Sequence, residues 1–190
     1  SEDQKTNKPL NFYAATKISN EMMAYSYSNI YKMPITGLRF FTVYGPWGRP
    51  DMAPMIFSKN IISKEPINIF NYGKMKRDFT YITDIVNGTY LCCLKPPKIE
   101  KGMDNEFLKP PHNLFNIGNG KPIELLSFIT LLEKSLGVKA VKNFEPIQKG
   151  DAIETYASTQ RLEDWIDFKP KVSIEEGVEK FIDWYLKYYC

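Results

Sequence analysis

The chain has 190 residues, 43% hydrophobic and 25% charged, with 12 tyrosines, 12 phenylalanines and a formal net charge of +3. That is enough apolar material for one sizeable core, and it excludes a disordered scaffold, which goes with few aromatics and high net charge. No run approaches the ~18 apolar residues of a membrane span, and lysines interleaved with acids read as a solvated mixed surface, not a nucleic-acid or membrane face. The opening SEDQKTNKPLNF has neither a basic start nor an apolar middle. Cys92, Cys93 and Cys190 show neither metal-ligand spacing nor a disulfide framework. No metal is expected, and a reducing cytoplasm is the natural compartment.

Taken along the chain, the pattern is mixed α/β. Beyond Pro9, Leu10 to Asn29 reads as a helix with Ala14, Ile18, Met22 and Tyr25 as its inward stripe. After Met33-Pro34, Ile35 to Val43 is too apolar for an exposed hairpin and predicts one buried strand, stopped at Tyr44-Gly45-Pro46. A Gly/Pro-rich loop, Gly45 to Pro54, leads into a short helix through Ile61. Ile67 to Phe70 and Asp78 to Ile82 read as short strands around an Asn71-Tyr72-Gly73 turn. Thr83 is expected to cap a helix with Val86, Tyr90, Cys93 and Leu94 inward.

Lys95 to His112, with two Pro-Pro pairs, predicts a long exposed loop, and the NLFNIG that follows predicts a strand. Leu125, Phe128, Ile129, Leu132 and Leu136 form a helical stripe ended by Gly137. Ser173 and Glu176 make a capping box for a last helix with Val178, Phe181, Ile182, Tyr185 and Tyr189 inward. The first helix and strand together suggest the last crossover of a parallel sheet, yet such a sheet wants several βαβ units before it. Two readings are open, an unusually small domain and the C-terminal portion of a longer protein, and the second is preferred.

Tyr13-Ala14-Ala15-Thr16-Lys17 places a phenol and an ammonium four residues apart, on one helix face. An ammonium held beside a phenol favours the phenolate, a proton acceptor near neutral pH. The same spacing is common on plain solvated faces, so the pair alone leaves both roles open.

The order of segments is more specific. YAATK, RFFTVYGPWGRP, INIF, RDFTYITDIVNG, FNIGNG, a GD pair with TYA after it, and FKPKVSIEEGVEKFIDWY follow one another. Over nearly the whole chain this resembles the extended short-chain dehydrogenase/reductase family, specifically its NAD-dependent nucleotide-sugar 4-epimerases and dehydratases. TVYGPWGRPDMA is most similar to the UDP-glucuronate 4-epimerases.

The resemblance implies the C-terminal part of a Rossmann-like doubly wound sheet plus a smaller mixed α/β substrate-binding domain. Residues 1–45 would be the last crossover helix and strand of the NAD-binding domain. Residues 46–190 would mainly bind the nucleotide sugar, with some segments returning. Tyr13 would be the catalytic base and Lys17 the residue on the nicotinamide ribose, with Phe40 and Phe41 beside the nicotinamide. Thr42 and Arg49 would grip the sugar, the guanidinium being suited to a carboxylate. Ile69 and Phe70 would flank the nucleotide base, Arg77 would clamp the diphosphate, and Lys149 in QKGD would stand near the nucleotide. Plainer readings stay beside these: strand packing for Phe40, Phe41 and Thr42, an exposed loop residue for Arg49, a sheet-edge residue for Arg77. Asp84 and Asn116 recur in the resemblance, but capping and turn roles explain both, and His112 reads as a surface residue.

Two departures stand out. The Gly-rich turn that seats a pyrophosphate on a helix N-terminus is absent, and so is the Ser or Thr expected upstream of the tyrosine. The expectation is a full-length cytoplasmic homodimer that epimerises C4 of a UDP-sugar, UDP-glucuronate to UDP-galacturonate, through a 4-keto intermediate, while the isolated chain does not turn over. Alternatives within the resemblance are UDP-galactose 4-epimerase, UDP-glucuronate decarboxylase and a 4,6-dehydratase. A different class is a nucleotide-sugar-binding or regulatory subunit in which Tyr13 and Lys17 are remnants.

Overall fold

The computed structural model describes residues 1–3, 8–101 and 108–190. Asn11 opens the first helix, its side chain accepting the Ala14 N–H at 2.8 Å and so satisfying one orphan donor of the first turn. In chain order the elements are α1 (Phe12–Tyr31), β1 (Ile35–Phe40), β2 (Thr42–Tyr44), α2 (Ala53–Ile62), β3 (Pro66–Ile69), β4 (Lys76–Tyr81), α3 (Ile82–Leu94) and the two-residue strands β5 (Glu100–Lys101) and β6 (Leu108–Lys109). Then follow β7 (His112–Ile117), β8 (Pro122–Glu124), α4 (Leu125–Leu136), β9 (Val141–Phe144), α5 (Gln160–Ile166) and α6 (Ile174–Tyr189). The chain divides into two compact units.

The first unit is Ser1–Phe40, Asn87–Ile117 and Ser158–Phe168. It is built on the parallel pair β1–β7, in register from Ile35 opposite His112 to Phe40 opposite Ile117. Helix α1 packs on both strands and α5 on β7. The buried side of α1 corrects the expected stripe: Met22 and Tyr25 are exposed, and the covered residues are Ala14, Ile18, Glu21, Ala24 and Ser28. An ion pair sets this face, because the Glu21 carboxylate takes Arg39 Nε and Nη2 of β1 at 2.7 and 2.8 Å. Counting apolar residues alone therefore found the first half of the stripe, Ala14 and Ile18, and missed its turn towards Glu21, Ala24 and Ser28. Within the expected loop from Lys95 to His112, β5 and β6 pair antiparallel, and residues 102–107 lie outside the described residues.

The second unit is Phe41–Val86, Gly118–Ala157 and Lys169–Cys190. Its sheet has the order β2-β4-β8, with β2 and β4 parallel and β8 antiparallel. Ile35–Val43 is thus not one buried strand. It breaks at Phe41, β1 pairing with β7 and β2 with β4, and β1 is only half-buried. Strands β3 and β4 do not pair around the Asn71-Tyr72-Gly73 turn; β3 pairs in parallel with β9, a strand the sequence did not announce. Asn71 and Tyr72 are both left-handed (φ 50° and 51°) inside a 3-10 turn, Phe70–Gly73, that takes the chain away from β3.

The core of this unit centres on Phe79 stacked on Phe128, ring centroids 4.2 Å apart, with Ile61, Ile67, Val178 and Phe181 around them. Helix α4 buries Leu125, Phe128, Ile129 and Leu132 as expected and ends at left-handed Gly137 (φ 67°), a conformation that a side chain would strain. Helix α6 buries Val178, Phe181, Ile182 and Tyr185, whereas Tyr189 is exposed. Only one half of the expected capping box forms there: Ser173 Oγ accepts the Glu176 N–H, and the Glu176 carboxylate instead accepts Lys180 Nζ at 2.6 Å.

Helix α3 corrects a second stripe. Its buried residues are Asp84, Ile85, Gly88 and Cys92, while Val86, Tyr90, Cys93 and Leu94 are all exposed. Both sides of this helix are apolar, so periodicity could not choose between them. The helix begins at Ile82, which leaves Thr83 within the first turn and not at the cap. Asp84 is buried, its carboxylate accepting the Lys171 and Val172 N–H groups at 3.0 and 2.9 Å. Among the described residues no helix is long and apolar enough to cross a membrane.

Candidate functional site

In the first unit, the expected pair lies one turn apart on an exposed stretch of α1. Tyr13 is 65% exposed and Lys17 Nζ sits 5.0 Å from the centroid of its ring, within the range of a cation–π contact. The Tyr13 carbonyl accepts Thr16 Oγ1 at 2.7 Å, which ties the turn between them. The arrangement offers a phenol for proton transfer beside a cation that can hold hydroxyl or phosphate oxygens. Phe40 ends β1 and is exposed, at the carboxyl end of a parallel pair, where open α/β sheets take their ligands. Asn116 does more than shape a turn: its N–H donates to the buried Glu2 carboxylate at 2.9 Å and its Nδ2 to the Ser158 carbonyl at 3.2 Å.

In the second unit, Phe41 and Thr42 are half-buried, Thr42 standing opposite Phe79 across the β2–β4 ladder. The loop after β2 turns twice, through Gly48 N–H to the Gly45 carbonyl and Met52 N–H to the Arg49 carbonyl. Arg49 stays at the surface and forks onto Asp51, with Nε and Nη2 at 3.0 and 2.7 Å from its two oxygens. Arg49 thereby holds the Asp51 carboxyl below its usual range. A forked carboxylate partner is what the sequence suggested for this guanidinium, and here the partner is internal.

Arg77 on β4 is largely covered and donates to the Asp151 carboxylate at 2.8 Å and to the Lys76 and Ile153 carbonyls. This joins it to the QKGD segment that carries exposed Lys149. Ile69 is fully buried in the core and its carbonyl accepts the Glu145 N–H; Phe70 is half-buried at the start of the 3-10 turn.

Sequence reasoning passed over Asp78. It is fully buried, and its two oxygens accept the N–H groups of Asn119, Gly120 and Ala157 at 2.9 to 3.0 Å. Asp78 therefore clasps both ends of the segment that contains Lys149 and Asp151. An acid placed inside the apolar run DFTY was the available signal, since a buried carboxylate must find donors. The groove of about 410 Å³ lined by Pro122, Glu124, Ser127 and Thr130 contains none of the residues singled out above.

Residues 1–118 match a family model described as the NAD dependent epimerase/dehydratase family. Over 186 residues the chain is 49% identical to Protein CapI of Staphylococcus aureus, covering 95% of this chain and 56% of that protein. It is 42% identical to UDP-glucuronate 4-epimerase 4 of Arabidopsis thaliana, covering 100% of this chain and 44% of the relative. The crystal structure of UDP-glucuronic acid 4-epimerase from Bacillus cereus, in complex with UDP-glucuronic acid and NAD, superposes with a TM-score of 0.85 at 34% identity, covering 100% of this chain and 56% of that one. The chain spans about half the length of the curated relatives it matches. The mixed α/β architecture with parallel pairing is that of these Rossmann-like structures.

Proposed function

The chain belongs to the NAD dependent epimerase/dehydratase family, and from that premise we propose that the protein epimerises C4 of a UDP-sugar, converting UDP-glucuronate to UDP-galacturonate through a 4-keto sugar. The observation that carries the reading is the Tyr13 phenol one turn from the Lys17 ammonium on an exposed helix face. That face fits a dinucleotide: an ammonium and a phenol reachable from solvent can hydrogen-bond ribose hydroxyls. NAD, when bound there, would supply the hydride acceptor, and on return the hydride donor, for C4.

The remaining chemistry is assigned to the chain's own groups. Tyr13 takes the proton of the sugar 4-hydroxyl and gives it back, and Lys17 holds the ribose. Phe40 and Phe41 lie beside the nicotinamide. Arg77 and Lys149 meet the diphosphate and nucleotide, with Phe70 and the backbone of Ile69 at the base. Oxidation at C4 of a glucuronate makes a β-keto acid, which loses CO₂ once its carboxyl bond aligns with the carbonyl π system. Thr42 and Arg49 grip the carboxylate and hold it out of that alignment.

Residues 1–45 serve the cofactor and 46–190 mainly the UDP-sugar. The protein works in the cytoplasm as a homodimer, a reading supported by exposed Met22, Met23, Tyr27 and Ile30 on α1, which favour burial against a second surface. Product analysis by NMR, using the whole protein with UDP-glucuronate and NAD, tests the activity. UDP-galacturonate is expected; UDP-xylose would make it a decarboxylase, and no turnover would favour a binding subunit.

A further inference from the structure

The loop that carries Arg49 is fastened to α6 at two points, both within the second unit. The first lies just before the loop. Tyr44 is buried, and its ring reaches so close to Gly177 that a Cβ there would overlap the hydroxyl oxygen and lie 2.8 Å from Cζ. The second lies inside the loop. Trp47 is 71% exposed, yet its ring sits edge-on to two aromatic rings of α6, 4.8 Å from Tyr188 and 5.4 Å from Trp184. Trp184 and Tyr188 are stacked on each other at 5.7 Å, one turn apart, and Trp184 leans on buried Phe181.

Trp47 also holds φ 62°, a left-handed backbone that a bulky side chain rarely adopts and that persists only where its surroundings impose it. The residue two positions on is Arg49. The Gly45–Gly48 turn, closed by the Gly48 N–H on the Gly45 carbonyl with Pro46 before it, asks for a positive φ at this position, and the contact with Trp184 and Tyr188 is what holds so bulky a residue there.

We propose that Trp184 and Tyr188 are positioning residues that hold the Trp47 turn and thereby aim Arg49 at the sugar carboxylate, which makes the C-terminal end of α6 a determinant of uronate selectivity. This rests on the reading of Arg49 given above. Anchoring in this way fixes the backbone that carries Arg49 before substrate arrives and spares it the entropy of ordering the loop on binding, while the guanidinium exchanges Asp51 for the substrate carboxylate.

The test uses the whole protein and three variants: Trp184→Ala, Trp184→Phe and Trp47→Ala, the last removing the contact from the loop side while every residue of α6 stays in place. Hydrogen exchange over residues 45–52, where the Gly48 and Met52 N–H groups are bonded within the loop, reads the clamp without any activity. Kinetics on UDP-glucuronate and UDP-glucose read its consequence. Expected are faster loop exchange in both alanine variants, a KM for UDP-glucuronate raised about tenfold, a fall in the ratio of kcat/KM for UDP-glucuronate over UDP-glucose, and restoration of all three by Trp184→Phe. Adding Trp184→Ala to Arg49→Ala should change that ratio little further, as for two residues acting through one contact. Unchanged loop exchange in Trp47→Ala overturns the proposal whatever the kinetics show, and so do losses that add fully to Arg49→Ala. Accelerated exchange in a protein whose wild type shows no preference for UDP-glucuronate upholds the clamp and overturns the reading of Arg49 instead.

Discussion

The Lys17 ammonium lies 5.0 Å from the centroid of the Tyr13 ring, one helical turn along α1, with the tyrosine open to solvent. Replacing Tyr13 by phenylalanine keeps the ring and the cation contact but removes the hydroxyl that would move the proton. In the whole protein, Tyr13→Phe should cut turnover of UDP-glucuronate by about 10²–10⁴-fold, the usual share of a general base, with little change in UDP-sugar affinity. Steady-state kinetics with calorimetry of UDP-glucuronate binding checks both halves. A phenylalanine variant with near-normal kcat would remove Tyr13 from the mechanism.

Asp78 ties two separate segments of the second unit together, because three backbone N–H groups converge on it. Asp78→Asn keeps the shape but turns an N–H₂ group towards N–H donors, and buried donors left unpaired cost about 1–3 kcal/mol each. A loss of about 3 kcal/mol in urea unfolding is expected. Tightened exchange at Asn119 and Ala157 in the variant would contradict it.

What could be read from the sequence was local. The stripe of α4 with its Gly137 stop, the N-cap of α6 and the Tyr13–Lys17 spacing depend on neighbours three or four residues away, and the structure has them as expected. What could not be read was set by distant partners. Met22 and Tyr25 turn outwards because Glu21 answers Arg39 eighteen residues on. The break at Phe41 exists because β7 and β4, far apart in sequence, each claim half of one apolar run. In the candidate site the helix pair was legible, while the partner of Arg77 is the distant Asp151, and that of Arg49 is Asp51, near in sequence but an acid with no periodic signature.

Glu133 gives a pH dependence with a fixed sign. Burial by itself would raise its carboxyl, but hydrogen bonds from Lys142, from the Ala140 N–H and from Lys139 outweigh that and leave it below the ordinary 4.5. A group depressed in the folded state contributes stability that is fully present above its unfolded value and lost as pH falls through the folded one. The stability gap between wild type and Glu133→Gln should therefore be constant from pH 7 down to about 5 and shrink progressively below 4.5. Urea midpoints measured across that range decide it; a gap that widens in acid would mean the carboxylate is not stabilised by these donors.

Gly177 and Tyr44 make a prediction that needs two substitutions. A methyl group at position 177 would overlap the Tyr44 hydroxyl and crowd Tyr81 Cδ2 at 3.2 Å, in a core with no slack. Gly177→Ala should therefore destabilise by about 2–3 kcal/mol, the upper part of the range for overpacking, even though alanine is intrinsically the better helix former by about 1 kcal/mol. Tyr44→Phe alone should be nearly silent, since the hydroxyl makes only a long 3.5 Å contact with the Ile174 carbonyl. Combining the two removes the atom that clashes worst, so the double variant should recover about half of the loss, the 2.8 Å approach to Cζ remaining. Thermal melts of the four proteins close the cycle. Additive costs would place the strain of Gly177→Ala elsewhere than at Tyr44, whereas partial recovery identifies the Tyr44 hydroxyl as the reason α6 carries a glycine one turn past its cap.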